Sequence, residues 1–172
     1  LDSARIYFDK AIELSRRKMI PDLEAALLAS LARVHLDQNS LERARRTIDE
    51  SLVLYKSRET FEGRDNAFYF AGEIYYELDK TELTTQLLME CYALTIKSGD
   101  VFIREKACRL LATIDKETGN YRLSTNFYEE YLTLRDKSRG QEDVKEILRL
   151  NIQNEYLEQA ITDSIQQLNA ID

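Results

Sequence analysis

The stretch Ala67–Lys80, AFYFAGEIYYELDK, has the apolar spacing of an α-helix but carries a glycine at its centre. Gly72 costs such a helix about 1 kcal/mol relative to alanine, and it stands among the bulkiest residues of the chain. So small a residue is expected where a second helix packs against the backbone too closely to leave room for a side chain. The stretch therefore raises the question of which part of the chain lies against Gly72.

A repeat of 40 residues emerges when the sequence is aligned with itself. Three columns of mostly small or apolar residues are spaced four and three residues apart, which is the spacing of one helix face. A fourth column of small residues precedes these three in each repeat, and three residues after it stands His35, Tyr75 or Asp115. The repeated unit is therefore predicted to be a pair of helices. The four columns are Ala4, Ala44, Thr84 and Ser124; Phe8, Ile48, Leu88 and Tyr128; Ala11, Ser51, Cys91 and Tyr131; and Ala32, Gly72 and Ala112.

Local signals divide the chain into helices. Pro21 is expected in a first turn, and Gly99, Gly119 and Gly140 are expected to end helices or to separate pairs. No segment alternates with period two for long enough to form a strand, so the chain is expected to be all-α. The predicted helices are 3–18, 22–37, 41–57, 64–79, 82–97, 101–117, 121–137 and 141–170.

The helix pairs resemble tetratricopeptide repeats (TPRs). The resemblance lies in the small residues Ala32, Gly72 and Ala112 of the first helices and in the small and aromatic residues of the second helices. In TPRs the small residue marks the closest approach of the two helices of a pair, so the resemblance implies that Gly72 lies against the partner helix around Thr84 and Leu88. It implies a right-handed α-α superhelix of TPR-like helix pairs with a long C-terminal capping or stalk helix. The implied organisation is an array at 1–137, made of a half repeat 1–20 and repeats at about 22–60, 64–98 and 101–137, followed by a capping and linker helix at 141–172.

A longer segment at 127–159, FYEEYLTLRDKSRGQEDVKEILRLNIQNEYLEQ, resembles the end of the TPR array in many bacterial transcriptional regulators and sensor histidine kinases. Tyr131, Leu134, Asp136 and Tyr156 stand at the matching places. The resemblance implies that the array is the sensory region of a signalling or transcription-regulatory protein, joined through a membrane span to an output domain.

The sequence starts at Leu1, already inside a helical pattern, and we interpret it as a fragment of a longer protein. If the regulator resemblance holds, the array is expected in the periplasm, with a membrane span in the parent protein after residue 172. Otherwise a cytoplasmic, stand-alone TPR scaffold or adaptor is expected. The amphipathic stripe of the helix at 141–172 would allow homodimerisation as a coiled coil.

Composition and motifs favour a binding protein over an enzyme. The net charge of −7 disfavours direct nucleic-acid binding, which needs a basic face. No phosphate loop, paired-histidine metal motif or nucleophile elbow occurs, so no catalytic residue, metal or cofactor is predicted. The single histidine, His35, occupies a repeat position and is expected to be a buried ring with its hydrogen bonds satisfied.

The two cysteines, Cys91 and Cys108, lack metal-ligand spacing. Free cysteine is commonly buried, so two buried free thiols at helix-packing positions are expected. The alternative is one disulfide between adjacent helices, which requires an oxidising compartment.

Helical phase places a set of polar and aromatic side chains on the concave side of the array, where a protein or peptide partner would bind. We expect them to lie outside the core, in a locally basic groove that suits an extended peptide with acidic groups. Tyrosine and arginine often anchor protein contacts, although ordinary exposed residues would give the same pattern. The predicted partner-binding residues are Arg33, Asn66, Tyr69, Glu73, Tyr76, Lys106, Arg109 and Lys116.

Overall fold

The computed structural model describes residues 2–56, 63–140 and 161, with side chains from residue 5 onward. The chain divides into two compact units, Leu1–Leu134 and Arg135–Asp172. The predicted helix at 141–170, its Tyr156 and its proposed role in dimerisation lie outside the described residues. The division into a half repeat, three pairs and a C-terminal helix stays a prediction.

Every element in the described part of the chain is helical, so the predicted all-α fold is confirmed. The first six helices begin and end within a few residues of the predicted bounds. The helices are α1 (Asp2–Arg17), α2 (Pro21–Asp37), α3 (Leu41–Lys56), α4 (Arg64–Glu77), α5 (Thr81–Ser98), α6 (Val101–Glu117) and α7 (121–140).

The helices pack in pairs along the first unit. The two most extensive interfaces join α2 to α3 and α4 to α5. Contacts also join α2 to α4 and α4 to α6. The first helix of each pair therefore contacts the first helix of the next, and α2, α4 and α6 form one continuous wall. The amphipathic faces of neighbouring helices thus bury one another in sequence order, as in a helical repeat array.

Four of the helices end in the same left-handed turn. The second residue after each of these helices has a φ between 55° and 82°, at Met19, Asn39, Asp79 and Gly119. In each turn, the next backbone N–H donates to a carbonyl five residues earlier, which is the Schellman pattern. The acceptor carbonyls are those of Ser15, His35, Tyr75 and Asp115, at distances of 3.0, 2.9, 3.0 and 2.7 Å.

The close approach predicted at Gly72 is confirmed. A Cβ atom built on Gly72 would lie 2.5 Å from Cδ2 and 2.8 Å from Cγ of Leu88. Leu88 is itself fully buried in the core, so its side chain has little room to move away. Gly72 gives up helix propensity because α5 occupies the space that its side chain would need.

One predicted helix end is wrong. Residues 138–140 continue α7 instead of separating it from a following helix. Gly99 and Gly119 have φ values of 77° and 82° and do end helices, whereas Gly140 is not among the residues with positive φ. The hydroxyl of Ser138 donates to the carbonyl of Arg135 at 3.0 Å, a bond compatible with a helix interior. Glycine permits a stop but does not impose one.

Both cysteines are free thiols and fully buried, as predicted. Burial raises the pKa of Cys91 far above its usual value, with Asp65 as a further cause. Burial likewise raises the pKa of Cys108, to about 12. Since the thiolate is the reactive form, both groups are protected from thiol chemistry in the folded chain.

His35 is buried as expected, but the prediction of a fully satisfied ring is wrong, because its Nδ1 has no hydrogen-bond partner. Burial lowers the pKa of His35, and a hydrogen bond with Gln38 opposes this shift. Burial therefore disfavours the protonated form of the ring.

Candidate functional site

The wall formed by α2, α4 and α6 carries an open groove of about 500 Å³. We call it the central groove. Five of the eight predicted partner-binding residues lie in its lining. The described lining residues are Arg33, Leu36, Asp37, Asn39, Leu41, Tyr69, Glu73, Tyr76, Glu77, Arg109, Leu110 and Thr113.

An ion-pair network fixes the α2 side of the central groove. The guanidinium of Arg33 donates to the carboxylate of Glu73 on α4, and its Nε donates to Asp37 at 3.0 Å. The hydroxyl of Tyr69 donates to the same Glu73 at 2.7 Å. Burial alone would lower the pKa of Arg33, but the two carboxylates outweigh it and raise that pKa.

A second link joins α4 to α6 on the other side of the groove. The hydroxyl of Tyr76 donates to the carboxylate of Glu117 at 2.9 Å. This hydrogen bond is the main cause of the raised pKa of Tyr76. Side-chain hydrogen bonds thus link α2 to α4 and α4 to α6 across the groove.

Tyr69 is a core residue and not the surface residue that helical phase predicted. Its side chain is 2% exposed and belongs to the main hydrophobic cluster. Burial raises the pKa of Tyr69 well above its usual value, and Glu73 adds to the shift. Only the hydroxyl end of Tyr69 is therefore available to the groove.

The prediction that the central groove is locally basic is also wrong. Its described lining contains two cations, Arg33 and Arg109, and three carboxylates, Asp37, Glu73 and Glu77. Asp37 and Glu77 are not among the predicted partner-binding residues and lie in the last turn of α2 and of α4. The signal that could have found them is acidic residues 40 apart, at Asp37, Glu77 and Glu117.

The three remaining predicted residues do not line the central groove. The amide of Asn66 contacts the carboxylate of Asp65 at 3.4 Å. The ammonium of Lys106 lies 4.3 Å from the ring centroid of Phe102 and 5.7 Å from that of Tyr69. Lys116 lines a neighbouring cleft.

This neighbouring cleft lies between α6 and α7 and has a volume of about 430 Å³. We call it the α6–α7 cleft. Arg109 lines both the cleft and the central groove, so the two are continuous along α6. Sequence reasoning did not assign the cleft, because Tyr128 was expected to pack in the core. Its described lining residues are Arg109, Ala112, Thr113, Lys116, Ser124, Thr125 and Tyr128.

The described ranges, 2–56 and 63–140, contain no group of three or more histidine, cysteine, aspartate or glutamate residues that could hold a metal ion. None of the described helices is long and apolar enough to cross a membrane. That the chain has no enzymatic activity stays a prediction.

Comparison with known proteins places the fold. No protein-family model matches the sequence, and no curated protein is significantly similar to it. The crystal structure of MamA matches with a TM-score of 0.56 and 19% identity, covering 75% of this chain and 69% of that one. The crystal structure of Podosopora anserina putative kinesin light chain nearly identical TPR-like repeats matches with a TM-score of 0.56 and 13% identity, covering 80% of this chain and 68% of that one. The chain therefore has the fold of TPR-like helical repeat proteins.

Proposed function

We propose that the chain is a protein-interaction module that binds an extended segment of a partner protein in the central groove. The observation that carries the proposal is the groove itself: about 500 Å³ in volume, open to solvent and walled by three successive first helices. First helices line the concave binding surface in helical repeat arrays.

The groove is held in shape by its own hydrogen bonds. Arg33 bonds Glu73 across α2 and α4, and Tyr76 bonds Glu117 across α4 and α6. A surface that is already ordered loses less conformational entropy when it binds. The cross-links therefore favour a binding role for this face.

The lining also offers the groups that a peptide backbone and its side chains need. Asp37, Glu73 and Glu77 supply acceptors, and the exposed guanidinium of Arg109 makes no hydrogen bond or ion pair with another described side chain. Leu36 and Leu110 provide apolar area between them. Such a mixture suits an extended segment with both polar and apolar side chains.

A test begins with capture of a partner by the immobilised chain, followed by measurement of its Kd. Replacing Tyr76 with alanine should weaken binding about fivefold or more if this side chain is an anchor. Val53→Ala, on the exposed surface of α3, is the matched control and should leave the Kd unchanged. Equal affinity of the Tyr76 variant and the parent chain would contradict the groove as the binding site.

We further propose that the module belongs to a bacterial signalling or transcription-regulatory protein. The support is the resemblance of the segment at 127–159, of which Tyr131, Leu134 and Asp136 lie in α7. The alternative is a stand-alone scaffold or adaptor, which the fold equally accommodates. Sequencing the gene beyond the codon for Asp172 separates them: a membrane span and an output domain support the regulator, and a stop codon supports the scaffold.

A further inference from the structure

The α6–α7 cleft differs from the central groove in its charge. Arg109, Thr113 and Lys116 follow one another at four and three residues, so they share one face of α6. Both cations are exposed. The described lining of the cleft contains no aspartate or glutamate, whereas that of the central groove contains three.

These two cations are also uncompensated. Within the described ranges, neither the guanidinium of Arg109 nor the ammonium of Lys116 makes an ion pair or a hydrogen bond with another side chain. Other arginines on the first helices are ion-paired: Arg33 with Glu73, Arg64 with Glu90 at 3.0 Å, and Arg104 with Glu130 at 3.6 Å. In a chain with 31 acidic and 24 basic residues, two unpaired cations on one face of a cleft whose described lining has no carboxylate point to an anionic ligand.

Tyr128 adds a neutral donor from the opposite wall. Its side chain is 51% exposed, and its ring packs against that of Tyr131 with a centroid distance of 5.6 Å. The Tyr128 hydroxyl bonds no other described residue. The two equivalent positions in the preceding pairs, Ile48 and Leu88, are fully buried. The third pair thus exposes a hydroxyl at a position where the two preceding pairs bury an apolar side chain.

The charge of the cleft matches one phosphate better than one carboxylate. A phosphorylated side chain carries a charge of about −1.5 to −2 at pH 7 and three acceptor oxygens. Arg109 and Lys116 together supply two positive charges, and arginine and lysine are the usual phosphate-binding residues. A single carboxylate would leave one of the two cations without a partner.

We propose that the α6–α7 cleft binds the phosphate group of a phosphorylated side chain on the segment that occupies the central groove. This inference rests on the proposed peptide-binding function. Because Arg109 lines both surfaces, a single extended segment can reach from one to the other.

The test uses fluorescent peptide pools with degenerate flanking residues and a fixed central residue: phosphoserine, glutamate or serine. Fluorescence polarisation should show the phosphoserine pool binding about tenfold more tightly than the serine pool. Combining Arg109→Gln with Lys116→Gln should remove that preference. The control is a double variant of two exposed lysines near the start of the chain, Lys10→Gln with Lys18→Gln. It removes the same amount of charge far in sequence from the cleft and should retain the preference for phosphoserine.

Inorganic phosphate, added at constant ionic strength, should compete with the phosphoserine pool for the parent chain. Equal affinity for the phosphoserine and glutamate pools would overturn the phosphate assignment, as would an equal loss of affinity in the double-lysine control. Failure of every pool to bind would also overturn it. The groove proposal fails separately, if a captured partner binds the Tyr76→Ala variant as tightly as the parent chain.

Discussion

The second and third helix pairs carry the same repeat columns, but the helices pack closely in the second pair and leave a cleft in the third. In the second pair, Leu88 of α5 fills the space beside Gly72 so completely that a Cβ there would meet it at 2.5 Å. In the third pair, Ala112 and Tyr128 occupy the same two columns and line a cleft of about 430 Å³. One repeat backbone thus serves as a packed core in one copy and as an open surface in the next.

The difference is a matter of side-chain chemistry at equivalent places. Tyr69 and Arg109 also share a column, 40 residues apart. Tyr69 is buried and Arg109 is exposed. Burial of an aromatic ring lowers the free energy of the folded chain. Burial of a guanidinium without an ion-pair partner raises it, because the charge loses its hydration. A column that changes from apolar to charged therefore marks where a packed core gives way to an exposed surface.

The largest expected effect separates these two residues. Tyr69→Ala should lower the free energy of unfolding by about 3 kcal/mol, because it removes a buried ring from the core. Arg109→Ala should change it by no more than about 0.5 kcal/mol, as is usual for exposed positions. Urea denaturation of both variants measures the contrast. Similar losses in the two variants would show that the column has one role throughout.

A second contrast concerns the small residues at the close approach. Gly72→Leu should destabilise the chain by about 1–3 kcal/mol, because the new side chain overlaps the buried Leu88. Ala112→Leu should cost less, since its side chain can extend into the α6–α7 cleft. Thermal unfolding of the two variants provides the comparison. If Ala112→Leu proved the more damaging, the third pair would be the tighter one.

A smaller effect is expected at His35, in the column that carries Tyr75 in the second pair. Because burial lowers the pKa of folded His35 below its usual 6.5, the unfolded chain binds more protons below that pH. The contribution of His35 to stability is therefore complete above about pH 6.5 and is lost as the pH falls below it. His35→Tyr should flatten the stability curve between about pH 5 and 7. An unchanged slope would assign the pH dependence to other groups.

The fold was predictable because its signals are local and repeated. The 40-residue columns predict the helix pairs, and the resemblance of the small-residue column to that of TPRs predicts the contact of Gly72 with the helix that carries Leu88. Helix ends at Gly99 and Gly119 follow from turn chemistry, but the same reasoning fails at Gly140, where nothing requires a left-handed residue.

The candidate site was less predictable, because helical phase gives the direction of a side chain and not its depth. Tyr69 points toward the groove, yet its ring is covered and only its hydroxyl reaches Glu73. Charge was misjudged for a similar reason. Asp37 pairs with Arg33 within α2, and Glu73 pairs with Arg33 from α4. The second of these contacts joins two helices and cannot be seen in one helix at a time.

Helices α2, α4 and α6 end in turns that are closed by main-chain hydrogen bonds. The donors are the N–H groups of Ser40, Lys80 and Asn120, which are spaced 40 residues apart. The left-handed residue itself varies among asparagine, aspartate and glycine, whereas the main-chain bond is the same in all three turns. A segment cut between two such turns carries its own helix ending at each junction. Gene duplication or deletion in units of 40 residues would then lengthen or shorten the wall without a new stop signal, while each copy remained free to acquire its own binding chemistry.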